Sequence, residues 1–277
     1  MTHSPTTWRL IKTNPACGAW NMAVDEAILE AIGRGDVGPT LRLYAWSPAC
    51  LSLGYAQPFS DVDQARLSTR GWHVVRRLSG GRAILHTDEL TYSITGPKNE
   101  PHLAGSVLDS YRRLSQALLQ ALHLLEIPAE VLSNPHDTQS DKNQPDAVCF
   151  ETPSNYEITV QGKKMIGSAQ TRKKAGVLQH GTLPLHGDLA RITQALTFPN
   201  DNYRSTAAKR LLARATTAEA ITGRSIPWDE AAAAFTCAFS QSLNLVLKPA
   251  ELTAAELARA ETLVKEKYAH PNWTERI

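Results

Sequence analysis

The chain has 277 residues, of which 42% are hydrophobic and 20% charged, and it carries 16 glycines and 16 prolines. This composition is ordinary for a globular protein and excludes the collagen-like and intrinsically disordered classes. The 29 Lys and Arg residues nearly balance the 27 Asp and Glu residues, so the formal net charge of +2 gives no general reason to expect nucleic acid or an anionic membrane as a partner.

The first fifteen residues lack the continuous apolar run of a secretory signal, and no segment is long and apolar enough to span a bilayer. Residues 21–32 then place alanine and isoleucine at helical spacing, with acidic residues available for the other side, which predicts an amphipathic helix. Short β-rich runs follow, separated by Pro, Ser and Gly. They predict four strands, at residues 40–46, 51–55, 72–77 and 90–95.

The clearest helix signal covers residues 106–125, where apolar side chains repeat every three or four positions until Pro128. This helix is expected to pack against the sheet. Residues 133–146 contain no apolar side chain and predict a solvated loop that ends shortly before Cys149.

A hairpin is predicted next. Residues 156–160 alternate between apolar and polar side chains, Gln161-Gly162 has turn chemistry, and residues 163–169 can return as the second strand. A further strand is expected at residues 177–185. The sequence after residue 185 is predicted to be mainly helical, with helices at residues 189–196, 227–243 and 254–268.

The four cysteines form no CxxC pair, which argues against a zinc knuckle or a redox dithiol and is typical of free thiols in a cytosolic protein. Cys149 is the candidate for chemistry because Lys163 and Lys164 lie one hairpin away, and an ammonium group stabilises a thiolate. Successive strand residues face opposite sides, so one lysine should point inward. The alternative is an inert thiol beside a solvated lysine pair. The remaining thiols are expected to be small buried hydrophobes: Cys17, Cys50 and Cys237.

Residues 76–83, RRLSGGRA, follow a strand-like run and combine two glycines with three arginines. Glycines let backbone N–H groups approach an anion or a carbonyl, and arginines neutralise phosphate. The segment is neither a P-loop nor a dinucleotide fingerprint, so it is either a binding turn or a glycine turn with solvated arginines. The binding candidates here are Arg76, Arg77, Gly80, Gly81 and Arg82.

Two further segments could line the same cleft. Ser168 and Ala169 follow a glycine, and such small side chains would let a substrate lie close to the backbone. His180, in a QHGT segment, is a binding candidate. His86 either binds a ligand or stabilises the loop after the glycine turn. No spacing typical of a metal site is present.

Seven segments carry a family resemblance: NMAVDEAI, SLGYAQP, RRLSGGRAILHTDELTYS, VCFETPSNYEI, GKKMIGSAQTR, LQHGTLPL and KYAHPNW, in this order across about residues 20–273. With them the chain resembles the lipoate-protein ligase and octanoyltransferase superfamily, which is related in fold to biotin protein ligases. The resemblance implies an α/β (α+β) fold of mixed, largely antiparallel sheets flanked by helices. It also implies a single catalytic domain over residues 1–277, without a C-terminal accessory domain.

The cysteine-dependent octanoyltransferases of this superfamily carry a CF-x-x-PS-x-YE pattern, and residues 149–157 fit it. The resemblance therefore implies that Cys149 forms an acyl thioester and that Lys164 stabilises its thiolate, with Lys163 facing outward. The implied donor is octanoyl-acyl carrier protein, and the acceptor is a lysine of a lipoyl-type domain or of glycine cleavage protein H, in lipoate biosynthesis. No cofactor and no metal are implied. Arg82 departs from the ligases, which often have a third glycine at this position.

Two alternatives stay open. In an ATP-dependent lipoate-protein ligase, the glycine turn would hold an adenylate and Cys149 would be a bystander. In a non-catalytic protein of this fold, the cleft would only bind a lipoyl group or a nucleotide. For the transferase, local basic residues, among them Arg172, Lys173 and Lys174, are expected to steer acidic carrier proteins. We expect a cytoplasmic monomer with no nucleic-acid or membrane partner.

Overall fold

The computed structural model describes residues 5–132 and 157–277. The predicted loop at residues 133–146 and Cys149 lie outside the described residues. The strands are β1 (Thr6–Lys12), β2 (Thr40–Tyr44), β3 (Cys50–Leu53), β4 (His73–Arg76), β5 (Ile84–His86), β6 (Glu89–Gly96), β7 (Glu130–Leu132), β8 (Glu157–Val160), β9 (Lys163–Lys173), β10 (Gly176–Pro184) and β11 (Leu245–Pro249). The α-helices are α1 (Gly18–Arg34), α2 (Gln64–Thr69), α3 (Val107–Leu124), α4 (Asp201–Arg214), α5 (Ala218–Thr222), α6 (Trp228–Ser242), α7 (Ala254–Leu263) and α8 (Pro271–Thr274).

Eight of the described strands form one sheet, in the order β11-β1-β2-β6-β10-β9-β8-β7. β1 pairs in parallel with both β11 and β2, and the other neighbours are antiparallel. A smaller sheet has the order β4-β3-β5, with one parallel and one antiparallel pair. The prediction of mixed, largely antiparallel sheets flanked by helices is confirmed.

Helices cover both faces of the large sheet. Alternate residues of β6 point to opposite faces, as strand geometry requires. Leu90, Tyr92 and Ile94 pack with α3 and α6 in the larger core. On the other face, Ser93 donates a hydrogen bond to Asp25 of α1, 2.8 Å away. α1 in turn packs against α7 in a second core. The candidate site lies on the α1 side, next to the smaller sheet.

Local sequence signals explain where several elements begin and end. α3 starts with a capping box in which Ser106 and Asp109 each satisfy the other's backbone N–H. α1 ends at Gly35, whose φ of 79° is the left-handed conformation that glycine adopts readily. Gln161 and Gly162 both have positive φ, 51° and 74°, which suits a tight hairpin turn between β8 and β9.

Two predicted helices need correction, and two strands were not predicted. The helix expected at residues 189–196 is a short 3₁₀ segment, Leu189–Gln194. The helix expected at residues 254–268 changes at its end into a π-helical turn, Val264–Tyr268. The sequence interpretation also missed β1 and β11, two strands that pair in parallel at the edge of the sheet. None of the helices in the described parts of the chain combines the length and apolar character needed to cross a bilayer.

Candidate functional site

A narrow, partly open cavity lies between the α1 side of the large sheet and the smaller sheet. β9 and β10 form one wall, and β3 and β5 contribute to the opposite wall. The lining residues are Met22, Tyr44, Trp46, Ser52, Arg77, Ile84, His86, Thr91, Gly167, Ser168, Ala169, His180, Gly181 and Thr182.

Asp25 of α1 is the buried anion behind this cavity, with 1% of its surface exposed. Its Oδ1 accepts hydrogen bonds from Arg42 Nη1 and Ser93 Oγ, each at 2.8 Å, and its Oδ2 accepts one from the Tyr44 hydroxyl at 3.0 Å. Burial alone would raise the pKa of Asp25, but the Arg42 guanidinium and His180 outweigh it and lower that pKa. The carboxylate is therefore charged at neutral pH and fixed in orientation.

His180 of β10 connects this anion to the glycine turn. Its Nδ1 lies 3.6 Å from Asp25 Oδ2, and its Nε2 lies 2.5 Å from Ser79 Oγ. Burial lowers the pKa of His180, although the nearby Asp25 carboxylate opposes this effect. A neutral imidazole with its proton on Nδ1, toward Asp25, accepts a hydrogen bond from Ser79 at Nε2. The serine thereby ties residue 79, directly before Gly80, to the cavity wall.

His86 forms a second polar connection across the cavity. Its Nε2 lies 2.7 Å from Ser52 Oγ of β3, and its Nδ1 lies 2.6 Å from Glu89 Oε1 of β6. The imidazole also stacks on Trp46, with ring centroids 3.9 Å apart and planes inclined by 8°. The Thr91 hydroxyl links Trp46 to Glu89, because it accepts a hydrogen bond from Trp46 Nε1 and donates one to Glu89 Oε1. These contacts hold the small sheet and the large sheet in a fixed relationship.

The glycine turn is braced by arginines rather than surrounded by solvated ones. Arg77 Nη1 donates to the Ser52 carbonyl, and Arg77 Nη2 donates to the carbonyls of Gly80 and Arg82 at 2.9 and 2.7 Å. Arg76, also buried, donates to the carbonyls of Gly54 and Thr274 on the far side of β4. This placement excludes the alternative of solvated side chains for Arg76 and Arg77, and of these two binding candidates only Arg77 lines the cavity.

A close backbone approach also fixes the position of this turn. A Cβ atom on Gly54 would lie 1.8 Å from the carbonyl oxygen of Gly81. Only glycine is compatible with such a contact at residue 54. Gly80 and Gly81 themselves are exposed and Arg82 is half-buried, so the turn forms an accessible rim near the cavity.

Lys164 lies in a second narrow cavity, on the α3 side of the sheet. Its Nζ donates to Glu157 Oε1 at 2.9 Å, and both side chains are largely buried, with 7% and 15% of their surfaces exposed. The β8–β9 pairing contains an irregularity here, since Ile158 pairs with Ile166 whereas Thr159 pairs with Lys164. Such bulges interrupt strand alternation and re-aim side chains. Lys164 is buried and Lys163 is half-buried, so the two lysines differ in exposure, although residues 164–167 are all buried and do not alternate as the prediction assumed.

Ser168 lines both cavities. Its Oγ lies 2.7 Å from the Tyr92 hydroxyl, which also accepts a hydrogen bond from Gln179 Nε2 at 3.2 Å. Burial raises the pKa of Tyr92 to about 12, so the phenol remains a protonated hydrogen-bonding group. Ser168 thus stands between the cavity that contains His180 and the cavity that contains Lys164.

The structure brings together five of the predicted site residues around the first cavity: Arg77, His86, Ser168, Ala169 and His180. Lys164 joins them only through Ser168, and Arg76 lies behind the turn. Sequence reasoning missed Ser52, Ser79 and Glu89, and it expected the acidic residues of this helix on the side opposite its apolar face. Asp25 lies instead among the buried residues of α1, a placement that only the fold reveals.

The remaining cysteines and the possible metal ligands offer no second candidate site among the described residues. Cys50 is fully buried, and burial raises its pKa strongly, whereas Cys17 and Cys237 are half-buried. Cys149 lies outside the described residues. Among residues 5–132 and 157–277, no cluster of three or more His, Cys, Asp or Glu side chains is arranged to hold a metal ion.

Comparison with known proteins identifies the family. The lipoyl protein ligase A/B catalytic domain matches residues 18–240. The chain belongs to this family. The relatives include the octanoyltransferase LipM of Brevibacillus brevis, which is 40% identical over 272 residues covering 97% of this chain and 99% of the relative. The octanoyltransferase LipM of Staphylococcus aureus is 37% identical over 96% of this chain and 98% of its own length.

Solved structures of the family share the fold. A bi-partite lipoate protein ligase from Thermoplasma acidophilum superimposes with a TM-score of 0.80 at 23% identity, covering 99% of this chain and 97% of the other. A lipoate-protein ligase A bound with ATP gives a TM-score of 0.78 at 24% identity, covering 98% and 99% of the two chains. These likenesses confirm the predicted lipoate ligase-like architecture.

Proposed function

We propose that this chain is an octanoyltransferase that moves an octanoyl group from acyl carrier protein, through a Cys149 thioester, to a lysine of a lipoyl-type domain or of glycine cleavage protein H. The observation that carries the proposal is the 40% identity, over nearly the whole of both chains, with a protein named octanoyltransferase. The structures of ligases share the fold at lower identity and do not distinguish the donor.

The first step is acyl transfer to the enzyme. The Cys149 thiolate attacks the carbonyl carbon of the carrier-bound thioester, a new C–S bond forms, and the bond to the carrier's sulfur breaks. The carrier leaves as a thiolate that takes up a proton. The ammonium of Lys164 stabilises the attacking thiolate. The Lys164–Glu157 ion pair supports this role, because it ties the ammonium to Glu157, the first residue of β8, which lies eight residues after Cys149.

The second step returns the acyl group to a nitrogen. The acceptor lysine, as a free amine, attacks the acyl-enzyme carbonyl, an amide C–N bond forms, and Cys149 leaves as a thiolate. The carrier thiolate released in the first step can take its proton from Lys164, and Lys164, then a free amine, can accept the proton lost by the nitrogen. Both steps pass through an oxyanion, for which Gly80-Gly81 and Ser168-Ala169 offer candidate backbone donors.

The first cavity is suited to the acyl chain. It contains the apolar side chains of Met22, Trp46 and Ile84, and polar groups occur beside them at Ser52 and His86. Ser52 and His86 are already hydrogen-bonded to each other and present little unsatisfied polarity to an alkyl chain, whereas the hydroxyl of Thr182, which also lines the cavity, has no hydrogen-bond partner among the described residues. Ser168 leads from this cavity toward Lys164.

Intact-mass measurement tests the proposal. Purified enzyme is incubated with octanoyl-acyl carrier protein, or with ATP and lipoate, and any adduct is mapped. An octanoyl adduct on Cys149 that is absent in Cys149→Ser and retained in Cys17→Ser supports the transferase. Acceptor modification that requires ATP and survives Cys149→Ser indicates a ligase instead. No modification of either protein under both conditions indicates a non-catalytic binding protein.

A further inference from the structure

Basic and aromatic side chains alternate along one edge of the molecule. Lys173 Nζ lies 5.2 Å from the centre of the Tyr55 ring, and the Arg276 guanidinium carbon lies 3.8 Å from the same ring. Arg276 also lies 4.3 Å from the Trp273 ring, over which Lys267 Nζ lies at 4.1 Å. We call these five residues the cation–aromatic surface. Aromatic faces hold cations at such distances, so the positive groups are kept in place.

Much of the positive charge of this surface is uncompensated. Glu26 binds Lys267 through both carboxylate oxygens, at 2.8 Å each. By contrast, no carboxylate in the described ranges lies within ion-pair distance of Lys173, of its neighbour Lys174, or of Arg276. Lys173 and Lys174 are exposed at the tip of the β9–β10 hairpin. The hairpin tip therefore presents positive charge to solvent next to the half-buried Arg276, although the whole chain is nearly neutral.

The cation–aromatic surface adjoins the glycine turn. The backbone N–H of Tyr55 donates to the Ser79 carbonyl at 2.9 Å, and Ser79 Oγ contacts His180 in the cavity wall. On the other side, Trp273 Nε1 donates to the carbonyl of Arg76 at 2.8 Å. Ser79 therefore connects Tyr55 of the cation–aromatic surface directly to His180 in the cavity wall.

We propose that the cation–aromatic surface, with Lys174, docks the small acidic carrier protein that delivers the acyl thioester. This inference rests on the proposed function. Negative surface charge on the carrier would match the uncompensated cations, and complementary potentials of this kind accelerate encounter and fix orientation. The anionic phosphodiester of the carrier's arm would enter past the exposed rim formed by Gly80 and Gly81.

Distance along β9 favours the donor over the acceptor as the occupant. Lys173 lies nine residues from Lys164 on this strand, which corresponds to about 30 Å at about 3.3 Å per residue. A carrier protein presents its thioester on a phosphopantetheine arm that reaches farther than a lysine side chain, and a carrier docked between Lys173 and the glycine turn would span the first part of this distance with its own body. An acceptor domain must instead bring its own lysine directly to the acyl-enzyme, and it would dock closer to Lys164.

A binding experiment tests the docking surface independently of turnover. The full chain carrying Cys149→Ser in every arm is titrated with purified octanoyl-acyl carrier protein, and the Kd is measured at low and at moderate salt. Adding Lys173→Glu and Lys174→Glu together is expected to weaken binding by about 10- to 100-fold and to flatten the salt dependence, since close charge pairs are reversed in sign. Circular dichroism and thermal melting verify that the variant is folded.

Lys248→Glu is the matched control. Lys248 is exposed on β11, five strand positions from β9 in the sheet, or about 24 Å at about 4.8 Å per strand. This control is expected to bind the carrier as the parent does. Equal Kd values for the parent and the hairpin double variant would overturn the proposal. So would a double variant that keeps its affinity for the carrier but loses affinity for a lipoyl-type acceptor domain.

The donor used in activity assays separates this inference from the proposed function. With active enzyme, octanoyl-pantetheine supplies the same thioester without a protein, so the double variant should react with it at the parental rate. If the parent binds the carrier but never acquires an acyl group, the proposed function fails and the docking surface stands. If the parent reacts with octanoyl-pantetheine but does not bind the carrier, the docking surface falls and the transferase stands.

Discussion

Lys164 and Glu157 form an ion pair across the β8–β9 hairpin, with Nζ and Oε1 2.9 Å apart and both side chains largely buried. The pair joins the lysine that follows the hairpin turn to the strand that follows Cys149 in the sequence. Glu157 is also the last residue of the CFETPSNYE segment that distinguishes the cysteine-dependent transferases by resemblance. The ion pair thus physically connects two motifs that appeared separately along the chain.

Removing the Lys164 ammonium should suppress acyl-enzyme formation. Lys164→Ala is expected to keep the fold and to lower the rate of octanoylation at neutral pH by about 10²-fold or more, because the thiolate loses its stabilising cation. Lys163→Ala, which alters a half-buried neighbour, should change the rate by only about twofold, as surface substitutions do. Single-turnover kinetics followed by mass spectrometry measure both rates. Equal losses in the two variants would contradict the assignment.

Removing the anionic partner should instead be visible in stability. Glu157→Gln takes away a carboxylate that compensates a buried ammonium, and we expect a loss of about 1–3 kcal/mol in the free energy of unfolding. Urea denaturation measures it. The exposed Arg224–Glu230 pair is the control, because water screens its charges; Glu230→Gln should leave stability unchanged within error. A Glu157 variant as stable as the parent would show that the pair contributes nothing to folding.

The elements that the sequence predicted well are those with strong periodicity or turn chemistry. Residues 106–125 predicted α3 because apolar side chains mark one face throughout, and Gln161-Gly162 predicted the hairpin that holds Lys164. β11 was missed since it is short, mostly exposed and ends in proline. α4 has few buried residues and a mostly polar sequence, so no apolar face marked it.

The candidate site was predictable residue by residue but not as an arrangement. His86, Ser168 and His180 were chosen for residue type and motif, and they share one cavity. Their partners could not be inferred, because the Ser79–His180 contact joins residues 101 positions apart. The bulge after Lys164 likewise depends on how β8 and β9 pair, which strand alternation alone does not specify.

Gly54 should tolerate no side chain. In Gly54→Ala the new Cβ would lie 1.8 Å from the Gly81 carbonyl oxygen, so the glycine turn must move. We expect a loss of about 1–3 kcal/mol in the free energy of unfolding, together with reduced transferase activity. Gly38→Ala is the control, because no heavy atom lies within 4 Å of its Cβ position. Thermal melting compares the two, and similar melting temperatures would show that the turn adapts freely.

The burial of His180 should make stability depend on pH between about 7 and 5. Burial places the pKa of folded His180 below its ordinary value of 6.5, so on acidification the unfolded chain binds a proton that the folded chain does not. Stability therefore falls as the pH drops below 6.5, by at most about 1.4 kcal/mol per pH unit for one group. His180→Asn removes this contribution, and its free energy of unfolding should change less with pH over this range.

Urea denaturation at pH 7.5, 6.5 and 5.5 measures how the free energy of unfolding changes with pH in the parent and in His180→Asn. His73→Asn is the control, because the His73 side chain is exposed, and its curve should run parallel to that of the parent. Asp25 does not confuse the comparison. The pKa of Asp25 is lowered, so the stability it contributes is present above its ordinary value of 3.8 and is lost only when the pH falls through the lower folded value. If His180→Asn and the parent lose stability equally between pH 6.5 and 5.5, His180 is not held as a neutral imidazole, and Ser79 is then not its hydrogen-bond donor.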